Sequence, residues 1–184
     1  YRIPEFDFKL PGVKSITIDP HKMGLCPIPA GGILFRDETA LKTLKLKIPY
    51  SRGGEAEYTT ISLTRPGASA ITVWALLKHL GRRGYRHVVE RCMNLTLKLT
   101  EYVKRIEGAD VVIPPVMNIL GIRSDTLDIH QAARILIDRG WAVSILPNHI
   151  RIVVMPHIKE SHIKAFIEDL KLAVKEATLK KFSS

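Results

Sequence analysis

Two short apolar runs, residues 13–18 and 32–35, flank a Pro- and Gly-rich bend that carries Asp19-Pro20-His21-Lys22. The first run has the length and β-branched content of a buried strand. It stops at Asp19-Pro20, which cannot continue a central strand. A histidine and a lysine are therefore expected side by side in the bend between two buried strands. Desolvation there would favour a neutral amine, the nucleophile of Schiff-base chemistry. A lone lysine is ordinarily a solvated surface residue, so the dipeptide needs the rest of the chain to give it meaning.

Further motifs follow in order: Thr64-Arg65-Pro66-Gly67, Trp74, Gly81-Arg82-Arg83-Gly84-Tyr85 and Ile150-Arg151-Ile152-Val153-Val154-Met155-Pro156. With Asp19-Pro20-His21-Lys22, this ordered set resembles the group II pyridoxal-phosphate-dependent amino-acid decarboxylases, and most of all their archaeal aspartate/tyrosine branch. The resemblance covers nearly the whole chain. It implies an α/β fold, the C-terminal part of a fold-type I pyridoxal-phosphate enzyme. Residues 1–66 would end the large cofactor domain, 67–107 would be linking helices and 108–184 the small α/β domain. The family's upstream half has no counterpart here, nor do its ring-stacking residue and its aspartate facing the pyridine nitrogen. The chain also begins at Tyr1 without an initiator methionine, so a fragment or one piece of a nicked subunit is expected.

Composition narrows the alternatives. The 184 residues, 46% hydrophobic and 25% charged, suit a soluble chain with a real core. No apolar run approaches the ~20 residues of a membrane span, and from the polar start no signal peptide is expected. Cys26 and Cys92 lie in apolar surroundings without metal-type spacing, which suits a reducing cytoplasm. The formal charge of +10 raises nucleic-acid binding. The basic residues are dispersed, however, and no aromatic residues interleave with them as a stacking platform, so no nucleic-acid partner is expected. One glutamine, three asparagines and many lysines and glutamates carry the bias of thermostable proteins.

Along the chain, Asp37 should cap a short helix running to about residue 46, and 47–62 should be a loop. Pro66 should open a helix through Ile71, Trp74, Leu77 and Leu80, apolar on nearly every face and hence buried on all sides. After Gly84, a longer amphipathic helix carries Val88, Cys92, Leu95, Leu99, Tyr102 and Ile106. Then come strands near 110–113 and 117–122, a helix over about 125–138, strands near 141–145 and 150–154, and a final helix striped by Ile163, Phe166, Ile167, Leu170 and Val174.

The resemblance assigns roles by position. Lys22 would carry pyridoxal 5′-phosphate as a Schiff base, and His21 would bond the cofactor phosphate or the leaving carboxylate. Asp19 would cap the turn or orient His21. Thr64 and Arg65, before a proline-started helix, would form a phosphate cradle reaching the neighbouring subunit of a homodimer. Arg151, in an apolar strand, would grip the substrate α-carboxylate; a structural ion pair is the other reading. Tyr50 or Tyr58, in the Gly-containing loop, would return a proton to the intermediate, with Tyr50 preferred. The other six histidines show no metal-ligand spacing.

The activity so implied is an L-amino-acid decarboxylase. Aspartate giving β-alanine for coenzyme A is preferred, with tyrosine or glutamate open. Two alternatives remain: a carbon–carbon aldehyde-lyase of the same superfamily, and a catalytically incomplete binding or assembly fragment.

Overall fold

The computed structural model describes residues 3–48, 56–60, 62 and 65–181. It divides into two compact units, Ile3–Tyr85 and the remainder from Arg86 onward.

In the first unit, β1 (Ser15–Ile18) pairs antiparallel with β2 (Gly32–Phe35), Ile16 lying opposite Leu34. Arg36, at the end of this hairpin, donates to the carbonyls of Phe8, Leu10 and Val13, and so gathers the N-terminal segment against it. The strands are where the apolar runs put them, but they are not buried. Ile18, Ile33 and Leu34 are each about half exposed. Two strands of four residues cannot cover each other's faces, and burial needs a second layer.

α1 (Thr39–Thr43) is shorter than expected and stops before Leu46, which belongs to β3 (Leu46–Ile48). Its N-cap is Glu38, which makes no side-chain cap bond, and not Asp37; Asp37, one residue earlier, accepts the Thr39 N–H through Oδ1 at 2.9 Å. Part of the expected loop is a second hairpin: β3 pairs antiparallel with β4 (Ala56–Tyr58).

α2 (Ala68–Val103) breaks at Gly81, whose φ of 55° and ψ of −169° belong to no helix. A side chain would be disfavoured there, and glycine is not. The break falls where the glycines predict one, although Gly84 itself stays helical. The expectation of burial on all sides fails for the first half. Ile71, Trp74 and Leu77 are all more than half exposed. An all-round apolar helix announces that it needs a cover, and the described residues do not provide it.

The second unit is built around one core. A four-stranded antiparallel sheet has the order β5 (Asp110–Val111), β6 (Ile119–Arg123), β8 (His149–Val153), β7 (Ser144–Leu146). Against it pack α3 (Ile129–Asp138), α4 (Glu160–Lys181) and the C-terminal part of α2. Leu99, Leu120, Ile122, Leu136, Ile150 and Leu170 are fully buried; each such side chain contributes about 1.5–3 kcal/mol. Trp141 meets Phe166 edge to face at 5.2 Å, and its indole N–H donates to Asp169 at 2.8 Å.

α3 starts later than expected. Asp128, not Asp125, caps it by accepting the His130 N–H, while the Ser124 hydroxyl takes the amides of Thr126 and Leu127 in the preceding turn. The stripe of α4 is buried as its spacing predicts.

Candidate active site

The bend after β1 is a tightly bonded turn. The Lys22 N–H donates to the Asp19 carbonyl, Leu25 N–H to Lys22, and Cys26 N–H to Pro20, each at 3.0–3.1 Å. Gly24 is required by close approach. A Cβ there would lie 2.6 Å from the Pro20 oxygen and 2.8 Å from its Cα, and both are backbone atoms. Leu25 adopts φ 62°, the left-handed region that side chains disfavour. The short spacing of Pro20, Gly24 and two more prolines beyond Cys26 is what the sequence supplies to make such a bend.

The turn presents Lys22 outward. Its side chain is 65% exposed and its Nζ lies 2.7 Å from the Asp19 carboxylate. The desolvated amine expected between two buried strands is therefore corrected: within this chain the amine is solvated and ion-paired. The pairing answers the question about Asp19, whose carboxylate partner is Lys22 and not His21. The hydrogen bond from Lys22 holds the Asp19 carboxyl below its ordinary 3.8.

His21 turns inward. Its backbone N–H and its ring Nδ1 both meet the Ala30 carbonyl, at 3.2 and 2.6 Å. A carbonyl oxygen only accepts, so Nδ1 carries the proton. That fixes the ring and leaves Nε2 as an acceptor when the ring is neutral and a donor when it is protonated. Arg65 is exposed and donates through Nη1 to Thr60 at 2.7 Å. Tyr58 ends β4 and is half-buried. Tyr50 and Thr64 lie outside the described residues.

In the other unit, Arg151 sits in mid-strand on β8, opposite Gly121 on β6 and Ser144 on β7. Alternation sends it to the face opposite buried Ile150, as expected. It is exposed, which corrects the picture of a costly buried guanidinium. Among the described residues no carboxylate pairs with it, so its planar fork remains open. Beside it is a concavity of about 230 Å³ walled by Trp141, Val143, Val154 and Phe166, with Ser144 and His162 as its other polar side chains.

Lys22, His21 and Asp19 thus come together in one turn, while Arg151 stands in the other unit. Two residues that shape the turn escape a reading by residue type: Gly24 within it, and Tyr85 on α2, whose phenol donates to the Gly24 carbonyl at 3.0 Å. Both lie within or next to quoted motifs, but no spacing rule announces a helix tyrosine reaching a glycine carbonyl. Among the described residues no cluster of three or more His, Cys, Asp or Glu is placed to hold a metal ion. No helix among them is long and apolar enough to cross a membrane.

A hairpin with an exposed lysine at its bend, a broken helix and an antiparallel α/β unit make up the C-terminal part of a fold-type I pyridoxal-phosphate enzyme. The sphingosine-1-phosphate lyase of Burkholderia pseudomallei is similar over 98% of this chain and 42% of its own, with a TM-score of 0.86 and 28% identity. The glutamate decarboxylase of Lactobacillus brevis is similar over 94% of this chain and 42% of its own, with a TM-score of 0.76 and 24% identity. The chain belongs to the pyridoxal-dependent decarboxylase family: residues 1–121 match that conserved domain.

Among curated proteins, an L-aspartate/L-glutamate decarboxylase of Pyrococcus horikoshii is 50% identical over 93% of this chain, which spans 44% of that relative's length. The L-aspartate decarboxylase of Thermococcus kodakarensis is 48% identical over the same shares. A probable L-tyrosine/L-aspartate decarboxylase of Methanothermobacter thermautotrophicus is 46% identical over 91% of the chain and 46% of its own length. The chain therefore spans less than half the length of these relatives.

Proposed function

We propose that this chain is the C-terminal part of a pyridoxal-phosphate-dependent L-amino-acid α-decarboxylase, with L-aspartate as the preferred substrate. The observation that carries the reading is the Asp19-Pro20-His21-Lys22 turn. It presents an exposed primary amine beside an imidazole locked through Nδ1, in a chain half identical to a relative named for aspartate and glutamate decarboxylation. Glutamate and tyrosine remain the other candidate substrates, in line with the names of the Pyrococcus horikoshii and Methanothermobacter relatives.

The residues present fit the cofactor. A solvated amine suits an aldehyde, while the Nε2 of His21, a donor when the ring is protonated, and the Arg65 guanidinium suit a phosphate. When bound, pyridoxal phosphate supplies an electron sink for the pair left behind by the departing carboxyl group. Lys22 would hold it covalently, and must first leave Asp19 to do so. Arg151 would take the substrate α-carboxylate bidentately, a role its unpaired fork suits. Tyr50, or Tyr58, would return the proton.

In this reading residues 1–66 end the large domain, 67–107 link, and 108–184 form the small domain. The functional unit would be a homodimer in the cytoplasm, with Thr64 and Arg65 completing the neighbour's site. The 0.86 TM-score with a sphingosine-1-phosphate lyase supports carbon–carbon cleavage as the second reading; the higher identity to aspartate decarboxylases ranks it below decarboxylation.

Borohydride reduction after adding pyridoxal phosphate tests the proposal, on this chain and on a longer version extended to the length of its relatives. A reduced adduct on Lys22, with CO₂ released from L-aspartate by the longer version, is the expected result. An adduct on another lysine, or none in the longer version, would overturn it.

A further inference from the structure

The Lys22 turn is held from outside as well as from within. The hydrogen bonds that shape it, Lys22 to Asp19, Leu25 to Lys22, Cys26 to Pro20 and His21 to Ala30, all stay within residues 19–30. The Tyr85 phenol is different in kind. It comes from α2, sixty-one positions further along, and donates to the Gly24 carbonyl at 3.0 Å.

That carbonyl lies two residues beyond Lys22, in a peptide with unusual constraints. Gly24 is packed so closely on Pro20 that no side chain fits, and the next residue, Leu25, is left-handed at φ 62°. A turn in so unfavourable a conformation persists only when its surroundings over-determine it. The Cys26 thiol also points at the Gly24 carbonyl, at 3.5 Å. Being a weak donor, it cannot replace the phenol.

We propose that Tyr85 is a positioning residue for Lys22, its hydroxyl anchoring the Gly24 carbonyl to α2 and so fixing where the amine is presented. The proposal rests on the reading of Lys22 as the cofactor lysine. Burial pushes the Tyr85 phenol above its usual 10.0. The hydroxyl therefore keeps its proton, and its capacity to donate, across any working pH. Gly24, Tyr85 and Lys22 then act as one chain: helix to hydroxyl, hydroxyl to carbonyl, carbonyl to turn, turn to amine.

Two variants separate the hydroxyl from the ring. Tyr85→Phe removes only the donor, whereas Tyr85→Leu removes the ring as well. Backbone amide hydrogen exchange on the full chain is read at Leu25 and Cys26, whose amides close the turn, and at the β1–β2 ladder. Tyr85→Phe should speed exchange at Leu25 and Cys26 about fivefold, the size of one net hydrogen bond, and leave the ladder unchanged. The cofactor concentration that half-saturates the borohydride-trapped Lys22 adduct should rise by a similar factor.

Unchanged exchange in Tyr85→Phe, or turn loosening only in Tyr85→Leu, would make the contact one of packing and overturn the proposal. So would equal acceleration throughout the first unit. Absence of any Lys22 adduct in the unsubstituted protein would sink the cofactor reading and the positioning role with it; the exchange rates would still tell whether the anchor exists.

Discussion

The Lys22 amine and the Asp19 carboxylate are hydrogen-bonded at 2.7 Å, three residues apart in the same turn. A lysine destined to react with an aldehyde must first give up this partner. The pair is solvent-exposed on both sides, so its hold is weak. Asp19→Asn should therefore speed capture of pyridoxal phosphate by Lys22 by about two- to threefold, the range of an exposed ion pair. Stopped-flow absorbance at neutral pH measures it. A slower reaction in the variant would mean that Asp19 assists the amine.

The same pair has a pH signature. Lys22 lowers the Asp19 carboxyl from 3.8, as the Thr39 N–H and hydroxyl lower Asp37 and Lys45 lowers Glu57. For a depressed carboxyl the stabilisation is fully present above the unfolded value and is lost as pH falls through the lower folded one. All three groups belong to the first unit, so that unit should hold its structure through the mildly acidic range and weaken only below the ordinary carboxylate values. Carboxyl carbon shifts followed by NMR titration should place all three midpoints beneath those of unfolded peptides.

Gly24→Ala should be costly out of proportion to its size. The added methyl would overlap Pro20 backbone atoms at 2.6 and 2.8 Å. Backbone cannot swing aside as a side-chain tip can, so the overpacking cost is about 1–3 kcal/mol. Gly12→Ala is the control, since nothing lies within 4 Å of its added methyl. Thermal unfolding of the two variants should separate them, and only Gly24→Ala should reduce Lys22 labelling.

In the second unit the core is predicted to behave conventionally. Leu136, on the buried face of α3, is fully buried, and Leu136→Ala should cost about 2–5 kcal/mol by chemical denaturation. Arg139 bonds both Asp169 and Glu176 of α4, yet a third of its side chain is exposed. Arg139→Met should therefore lower the unfolding midpoint much less than Leu136→Ala does.

What could be read in advance divides along the same line. On the stripes of α2 after residue 86, α3, α4 and β6, periodicity and burial agree because they cover one another, whereas Ile113, Met117 and Ile145, expected on strands, are exposed. Leu99, Leu136, Ile150 and Leu170 are buried where spacing puts them. In the first unit Ile18, Ile33, Ile71 and Trp74 were legible as apolar but not as exposed. An apolar residue states that it needs cover; only the partner layer decides whether it has any. The start of α3 shows a second limit: the apolar spacing suggests a start near 125, but the Ser124 hydroxyl takes the amides of Thr126 and Leu127 in a turn and the helix begins after Asp128. Lys22 in its turn and Arg151 on its strand were readable as positions from motif order. The Tyr85–Gly24 bond was not, because a hydrogen bond sixty-one residues long leaves no local pattern.

Arg151 supplies the sharpest test of the proposed chemistry. It is exposed on β8 and unpaired among the described residues, so no structural bond is lost on substitution. Arg151→Met keeps the apolar stem and should leave the unfolding temperature within about a degree or two, as for a surface change. A bidentate guanidinium–carboxylate bond is worth roughly 2–3 kcal/mol, so KM for L-aspartate should rise about 30- to 150-fold in a version extended to the length of its relatives. The clamp acts on substrate and not on the pyridine ring. The cofactor concentration for half-maximal Lys22 labelling should therefore change by less than about twofold, and that contrast separates the roles. Equal losses in substrate and cofactor affinity, or a fall in unfolding temperature of many degrees, would make Arg151 a structural residue and leave the substrate carboxylate to another group.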